Sequence, residues 1–221
     1  MAQIDKNTVS AENQLKENEY IKFYGSGTEK KILFVGNSIT RHGVKEEIGW
    51  YWDFGMAASC EDKDYVHLVM SEMNKKYNAS YCVCQAGQWE INYTQPEEAL
   101  DFFTDARDFC ADTIIVRLIE NVDHTHYNDE IFRKNYPELI KFLNKSGKAK
   151  IIVTDGFWRH PADSTIKEIA QIKGYDFVTL GDLGELDEMK AIGLFAHDGV
   201  AQHPGDLGME NIAKRILGKL L

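Results

Sequence analysis

Short apolar segments alternate with amphipathic segments along most of the chain. The first apolar run is KILFVG at 31–36, and comparable runs follow at 80–85, 112–119, 149–156 and 175–180. Between and after them lie amphipathic stretches at 64–77, 96–107, 127–147, 164–174 and 206–221. Apolar runs of this length are typical of buried strands, and the longer stretches have the periodicity of helices. The pattern therefore predicts five strands in alternation with helices.

Strands that alternate with helices predict a parallel sheet, because parallel strands need long crossover connections that place helices on both faces. We expect an α/β fold, a three-layer αβα sandwich with a flavodoxin-like, five-stranded parallel sheet of order 2-1-3-4-5. Residues 1–28 are polar and form a lead-in segment that is partly helical in this interpretation, and residues 29–221 form the domain. In such sheets, functional residues lie in the loops after the strands.

Composition narrows the function classes further. The chain has 221 residues, is 43% hydrophobic and carries a formal charge of −10, from 25 Lys and Arg against 35 Asp and Glu. This charge repels phosphate backbones and anionic membranes, so neither nucleic acid nor a membrane is an expected partner. The chain has no apolar run of the roughly 20 residues that span a bilayer and no signal-peptide core at its start, which predicts a cytoplasmic protein.

The four cysteines are too few and too scattered for a disulfide framework. Cys82 and Cys84 alternate with Val83 in a predicted strand, so both side chains lie on one face. Such a pair binds a metal only when two further ligands are near, and buried thiols are the favoured interpretation. We expect free thiols at all four positions.

Polar residues follow the first three predicted strands. Ser38 lies in the segment GNSITRHG directly after the first strand, Gly87 follows the second, and Asn121 follows the third. Their hydroxyl, N–H and amide groups could point into one crevice. Each also has an ordinary structural interpretation, as a helix cap for Ser38, a turn glycine and a loop asparagine.

The loop before the last helix brings a histidine, His203, to the same edge. A histidine beside a serine can accept the hydroxyl proton and return it to the leaving group, and an acid on the far side of the ring fixes its orientation. A turn histidine is the alternative for His203. For Asp206, the N-cap of the last helix is the preferred interpretation.

These residues, in this order along the chain, resemble the SGNH/GDSL hydrolase superfamily. The resemblance covers residues 31–221, and the segments EIGWYWDFGMAAS at 47–59 and HPGDLGM at 203–209 resemble a bacterial subgroup of it. It implies a catalytic Ser38 nucleophile and a His203 general base. It also implies an oxyanion hole formed by the Ser38 and Gly87 N–H groups and the Asn121 side chain.

Two features depart from the family pattern. The usual Gly-Asp-Ser reads Gly-Asn-Ser, with Asn37 in place of the aspartate. The acid that normally lies three residues before the histidine is replaced by Val200, and Asp198 is the nearest acid upstream. Asp198 is therefore our candidate for the third catalytic residue. Gln202 or a backbone carbonyl could orient the ring instead, or serine and histidine could act as a dyad.

The resemblance implies a serine esterase that needs no cofactor and no metal. An acetyl or other small acyl group on a carbohydrate is the expected substrate, because aromatic side chains are frequent near the predicted site and could stack on a sugar. The candidate substrate-binding residues are Trp50, Trp52, Trp89 and Glu120. The alternatives are a non-catalytic carbohydrate-binding relative, and an acylhydrolase acting on lipids or thioesters.

Two further groups of residues have open interpretations. Arg41 and His42 follow the nucleophile loop and could bind a substrate carboxylate or hydroxyl, or be a solvated pair. His124 and His126 could be drawn as a metal pair, but no third ligand is assured, so no metal site is predicted.

Overall fold

The computed structural model describes residues 19–221, and its centre is a six-stranded sheet. The strands are β1 (Ile21–Tyr24), β2 (Lys30–Gly36), β3 (Ala79–Gln85), β4 (Thr113–Arg117), β5 (Lys150–Thr154) and β6 (Asp176–Val178). Their order is β1-β3-β2-β4-β5-β6, with β2 to β6 parallel and β1 antiparallel to β3. The five predicted strands and their flavodoxin-like order are confirmed.

Strand β1 is the element that the sequence pattern missed. It lies within the predicted lead-in of residues 1–28 and pairs with the outer edge of β3, from Ile21 opposite Cys84 to Tyr24 opposite Tyr81. Its four residues alternate only partly between apolar and polar and stand alone before a glycine turn. The sheet therefore begins before residue 29, and residues 1–18 lie outside the described part of the chain.

Helices cover both faces of the sheet. They are α1 (Tyr65–Asn74), α2 (Gly87–Ile91), α3 (Glu97–Asp101), α4 (Thr104–Asp108), α5 (Asp129–Leu143), α6 (Asp163–Lys173), α7 (Asp198–Ala201) and α8 (Asp206–Leu220). The amphipathic stretch at 96–107 forms two short helices rather than one. The helical conformation is interrupted between them. At this interruption Phe103 is fully buried, whereas Phe102 is 39% exposed.

Side chains of the central strands alternate between two separate cores. In β2, Ile32 and Phe34 face the core that includes α1 and α8, whereas Leu33 and Val35 face the core that includes α5 and α6. All four side chains are fully buried. Burial on both faces explains why this strand reads as a continuous apolar run.

Local capping determines where several helices begin and end. The Asp64 side chain accepts a hydrogen bond from the His67 N–H at the start of α1, and Asn128 does the same for Ile131 at the start of α5. Helix α6 ends at Gly174, whose φ of 70° is left-handed backbone that favours glycine. Helix α8 is capped by Gly205, so the interpretation of Asp206 as its N-cap is wrong by one residue.

Cys82 and Cys84 are buried free thiols, as expected, and burial raises the pKa of both. Cys60 and Cys110 are exposed and also free. Within residues 19–221, the search for helices long and apolar enough to cross a bilayer finds none.

Candidate active site

Ser38 and His203, which are 165 residues apart in sequence, meet at the carboxyl edge of the sheet. The Ser38 Oγ lies 2.9 Å from the His203 Nε2. Ser38 is placed by the turn that ends β2, where the N–H groups of Thr40 and Arg41 both donate to the Asn37 carbonyl. The Met56 N–H donates to the Ser38 carbonyl at 2.9 Å and fixes the turn to the following loop. The predicted serine–histidine contact is therefore present.

The far side of the histidine ring faces a backbone carbonyl. The His203 Nδ1 lies 2.7 Å from the Gly199 oxygen. Because a carbonyl can only accept, Nδ1 carries the ring proton, and the unprotonated Nε2 accepts from the Ser38 hydroxyl. This is the tautomer that a general base requires.

The candidate third residue, Asp198, does not occupy the position at Nδ1. The Gly199 carbonyl occupies it, and Asp198 is an exposed residue in the first turn of α7. The assignment of Asp198 as the group that orients the ring is therefore wrong. The reason is the position of the short helix α7, which brings the Gly199 carbonyl to the Nδ1 side of the imidazole. One of the alternatives drawn from the sequence, a backbone carbonyl, describes the observed contact.

The Nδ1 side of the ring faces the Gly199 carbonyl rather than a carboxylate. Burial lowers the pKa of His203 to about 4, and the His42 and Arg117 charges act in the same direction, while the Gly199 hydrogen bond and the Glu120 charge act against it. The Trp158 ring packs edge-on against the imidazole, with ring centroids 5.1 Å apart. His203 is thus neutral at pH 7, and its ring is held by the hydrogen bonds to Gly199 and Ser38 and by the Trp158 contact.

Ser38 and His203 open into a cavity of about 140 Å³. Its polar lining comes from Ser38, His42, Glu120, Asn121, His197 and His203. Apolar side chains of Ile48, Met56, Trp158 and Val200 complete it. A space of this size accommodates a small acyl group and the atoms beside it.

Two of the three expected oxyanion donors lie at this cavity. Ser38 and Asn121 both line it, and among the described residues no acceptor engages the Ser38 N–H. The Gly87 N–H donates to the Gln85 side chain at 3.0 Å, and Gly87 is not among the lining residues. The structure does not bring Gly87 to the cavity, because the backbone after β3 turns directly into α2.

A buried polar network lies behind the serine turn. The Asn37 amide nitrogen donates to Glu90 Oε1 at 2.9 Å and to Glu120 Oε2 at 2.6 Å, while its oxygen accepts from Arg117. Arg117 also forms a 2.5 Å ion pair with Glu120. All four side chains are at most 4% exposed. Asn37 is thus the amide that joins two carboxylates and a guanidinium.

The same network holds Asn121. The Asn121 amide nitrogen donates to Glu90 Oε2 at 2.5 Å, and the Ile119 N–H donates to the other carboxylate oxygen. Ile119 has a φ of 125°, an unfavourable conformation for a β-branched residue. Glu90 therefore stabilises the strained turn that presents Asn121 to the cavity.

Electrostatics separates the two carboxylates. Burial and the neighbouring Glu120 charge raise the pKa of Glu90. Burial also acts to raise the pKa of Glu120, but the Arg117 charge and the hydrogen bonds from Phe157, Asn37 and the backbone hold it below its ordinary value. Glu120 is the charged partner of Arg117, and its oxygens are directed into the network although it lines the cavity.

The three candidate tryptophans do not line the cavity. Trp50 and Trp89 are fully buried, the first in the core with α1 and α8, and the second in the opposite core against Phe132 and Tyr136. Trp52 is 42% exposed and packs against Trp50. The assignment of Trp50 and Trp89 as substrate-binding residues is wrong. Both rings are buried in the cores, where large aromatic side chains contribute most to stability. The tryptophan at the cavity is Trp158.

Arg41 and His42, which follow the nucleophile loop, have different surroundings. Arg41 forms a two-pronged ion pair with Asp53, at 2.7 and 2.9 Å, and points away from the cavity. His42 is buried and lines the cavity.

His124 and His126 engage other partners and do not form a metal pair. The His126 Nδ1 lies 2.6 Å from Asp123, and the His124 ring packs against His160. Among residues 19–221, no group of three His, Cys, Asp or Glu side chains is placed to hold a metal ion.

Glu90 and Arg117 are the site residues that sequence reasoning missed. Arg117 had a usable signal, since a charged residue at the end of a buried apolar strand requires a buried partner. Glu90 had no comparable sequence signal. Helix α2 is only five residues long, and the burial of the Glu90 side chain depends on the neighbouring loops.

Comparisons with known proteins agree with this architecture. No family model matches the sequence, and no curated protein matches it either. Among solved structures, a psychrotrophic esterase from a Pseudoalteromonas species superposes with a TM-score of 0.55 at 10% identity, covering 87% of this chain and 97% of that one. A lipolytic protein of the G-D-S-L family from Veillonella parvula superposes at 0.53 with 11% identity, covering 85% and 96%.

A two-domain esterase described as active on acetylated mannans also superposes, with a TM-score of 0.55 and 16% identity. The match covers 86% of this chain and 49% of that protein, so the chain spans about half the length of that relative. At these identities the likeness concerns the fold. The chain has the fold of the G-D-S-L esterases, and the resemblance drawn from the sequence is confirmed at that level.

Proposed function

We propose that this protein hydrolyses carboxylic esters through an acyl-enzyme formed at Ser38. The observation that carries the proposal is the 2.9 Å contact between the Ser38 Oγ and an unprotonated His203 Nε2 at the mouth of a small cavity. A serine and a histidine in this arrangement are the minimum for nucleophilic acyl transfer.

In the first step, the Ser38 oxygen attacks the ester carbonyl carbon while its proton passes to the His203 Nε2. The negative charge develops on the carbonyl oxygen, and the Ser38 N–H and the Asn121 amide are the donors nearest to that position by their place in the cavity lining. Collapse of the intermediate breaks the bond to the alcohol, which takes the proton from His203. Water then repeats the sequence and releases the acid.

Among residues 19–221, the group at the His203 Nδ1 is the Gly199 carbonyl rather than a carboxylate, and this defines the type of catalyst. The Gly199 carbonyl orients the ring and fixes its tautomer, but a neutral carbonyl stabilises an imidazolium less than a carboxylate does. The proposed enzyme is therefore a serine–histidine dyad supported by a backbone oxygen.

The proposed substrate is a small acyl group, with acetyl on a carbohydrate as the first candidate. A cavity of about 140 Å³ favours a short acyl chain over a lipid. The esterase described as active on acetylated mannans supports the carbohydrate part by fold analogy. Burial of Trp50 and Trp89 removes both rings from the aromatic surface that a sugar could stack on, in the esterase and in the non-catalytic alternative alike, and leaves Trp158 at the cavity.

The test combines covalent labelling with turnover. We expect a fluorophosphonate probe to label the wild-type protein at Ser38, and p-nitrophenyl acetate to be hydrolysed. Ser38→Ala and His203→Ala should each lose most of the activity, typically by 10³-fold or more. Ser146→Ala, at an exposed turn, is the matched control and should be unchanged. Wild-type inertness, or full activity in Ser38→Ala, would refute the proposal.

A further inference from the structure

His42 is a buried histidine whose backbone is fixed on both sides. Its N–H donates to the Phe54 carbonyl at 2.9 Å, and its own carbonyl accepts from the Trp50 indole at 3.1 Å. The side chain is 1% exposed and lines the cavity that contains Ser38. The buried Trp50 thus positions a cavity residue.

The hydrogen bonds of His42 determine its tautomer. Its Nδ1 lies 2.6 Å from the Gly43 carbonyl, which can only accept, so the ring proton is on Nδ1. Burial lowers the pKa of His42 to about 4, and the Lys45 charge acts in the same direction. The ring is therefore neutral at pH 7, and Nε2 is a hydrogen-bond acceptor. No hydrogen bond from residues 19–221 engages it.

The acceptors of His203 and Glu120 at the cavity are already occupied. The His203 Nε2 accepts from Ser38, and Glu120 accepts from Arg117, Phe157 and Asn37. His42 Nε2 differs from both groups because residues 19–221 supply no donor for it. A bound molecule that fills the cavity without a donor would leave this nitrogen buried and unpaired, which is unfavourable.

The size of the cavity limits where a matching donor can be. A volume of about 140 Å³ holds only a few heavy atoms, and it contains both Ser38 and His42. A donor that reaches His42 while the ester carbonyl lies at Ser38 must be within a few bonds of that carbonyl. A hydroxyl on the carbon next to the ester group meets this requirement.

We propose that His42 Nε2 accepts a hydrogen bond from a substrate hydroxyl adjacent to the scissile ester, so that the protein selects hydroxy esters. This inference rests on the proposed esterase function. The hydroxyl could belong to the alcohol, as in a partly acylated sugar with a free neighbouring hydroxyl, or to the acyl group, as in a 2-hydroxy acid.

Two pairs of small esters test the inference and separate these sources. 2-Hydroxyethyl acetate against 2-methoxyethyl acetate probes the alcohol side, and ethyl glycolate against ethyl methoxyacetate probes the acyl side. Each kcat/KM is divided by the alkaline hydrolysis rate to remove intrinsic reactivity. We expect one pair to favour the hydroxyl ester by about tenfold or more, since a site built to bind a hydroxyl rejects analogues without it.

Variants then assign the preference to His42. His42→Phe keeps a planar ring without the acceptor and should bring the ratio close to one, while His42→Gln, which retains an acceptor, should give an intermediate ratio. His126→Phe makes the same change at an exposed histidine outside the cavity lining and should leave the ratio as in the wild type. Circular dichroism verifies folding of each variant.

The outcomes are distinguishable from failure of the esterase proposal. Hydrolysis that depends on Ser38 with both wild-type ratios near one overturns the role of His42 alone, and this comparison needs no variant. A ratio that survives in a folded His42→Phe protein also overturns it. If no ester is hydrolysed in a Ser38-dependent way, both proposals fail.

Discussion

Asn37→Asp is the most informative single substitution at this site. The change is isosteric and restores the Gly-Asp-Ser sequence usual in the family that the chain resembles. In this protein, however, the Asn37 amide donates to Glu90 and Glu120 at 2.9 and 2.6 Å. An aspartate would place a third carboxylate against two others, with only the Arg117 guanidinium to balance them. We expect a large loss of stability.

The size of the stability loss depends on whether the new carboxylate stays charged or takes up a proton. Two unit charges 4 Å apart repel by about 4 kcal/mol at an effective dielectric constant of 20, and here the distances are shorter. Taking up a proton avoids this repulsion. For a group with an ordinary pKa near 3.9, protonation at pH 7 costs about 4 kcal/mol, and the cost falls by about 1.4 kcal/mol per unit of pH. The smaller of these two free-energy costs is the protonation cost. It sets the pH-dependent loss in the free energy of unfolding, about 4 kcal/mol at pH 7.

The sign of the pH dependence is specific. In the folded state the pKa of the new aspartate lies above its unfolded value, so its destabilising effect is absent below the unfolded pKa and grows as pH rises toward the folded pKa. Between pH 7 and pH 5 the variant should recover about 2.7 kcal/mol. For a protein of this size that corresponds to about 5–11 °C in Tm.

Thermal unfolding at pH 5, 6, 7 and 8 measures this effect. Asn37→Ala is the control, because it removes the same two donated hydrogen bonds without adding a charge, although it also removes the oxygen that accepts from Arg117 and Ile39. Its Tm deficit should vary less with pH than that of Asn37→Asp. The reasoning is refuted if Asn37→Asp is as stable as the wild type at pH 7, or if the two variants show the same deficit at every pH.

Three further predictions concern the base, a tight turn and a buried ring. Protonation of His203 blocks its role as base, and its pKa is about 4. The value of kcat/KM should therefore stay level from pH 7 to about 5 and fall at lower pH. A decrease centred near pH 6.5 in the pH–rate profile would contradict this. Gly36→Ala would place a Cβ 1.7 Å from the Thr40 Oγ and should lower Tm, whereas Gly218→Ala, with no atom within 4 Å, should not. Trp89→Ala should cost about 3–5 kcal/mol in urea unfolding and leave KM for a small ester nearly unchanged, since the ring is in the core, and a large KM effect would count against that.

Periodicity determined the sheet well because it reports burial directly. The run ILFV of β2 is apolar at every position since both faces of the strand are covered, and this identifies a central parallel strand. Strand β1 was not predicted, because a four-residue edge strand has few buried side chains and its hydrophobic pattern is therefore weak. The same logic placed Ser38 and His203 at one edge of the sheet, since the ends of parallel strands coincide there.

The sequence by itself therefore determined the layers, the order of the five parallel strands and the meeting of a serine with a histidine. The tertiary structure alone decided which group orients His203, why Asn37 is an amide, and which aromatic rings are buried. Each of these depends on contacts between loops far apart in the chain, where a shift of one residue replaces the Asp198 side chain by the Gly199 carbonyl. Hydrophobic patterns carry no information about such contacts, because they record whether a residue is buried and not which polar atom it faces.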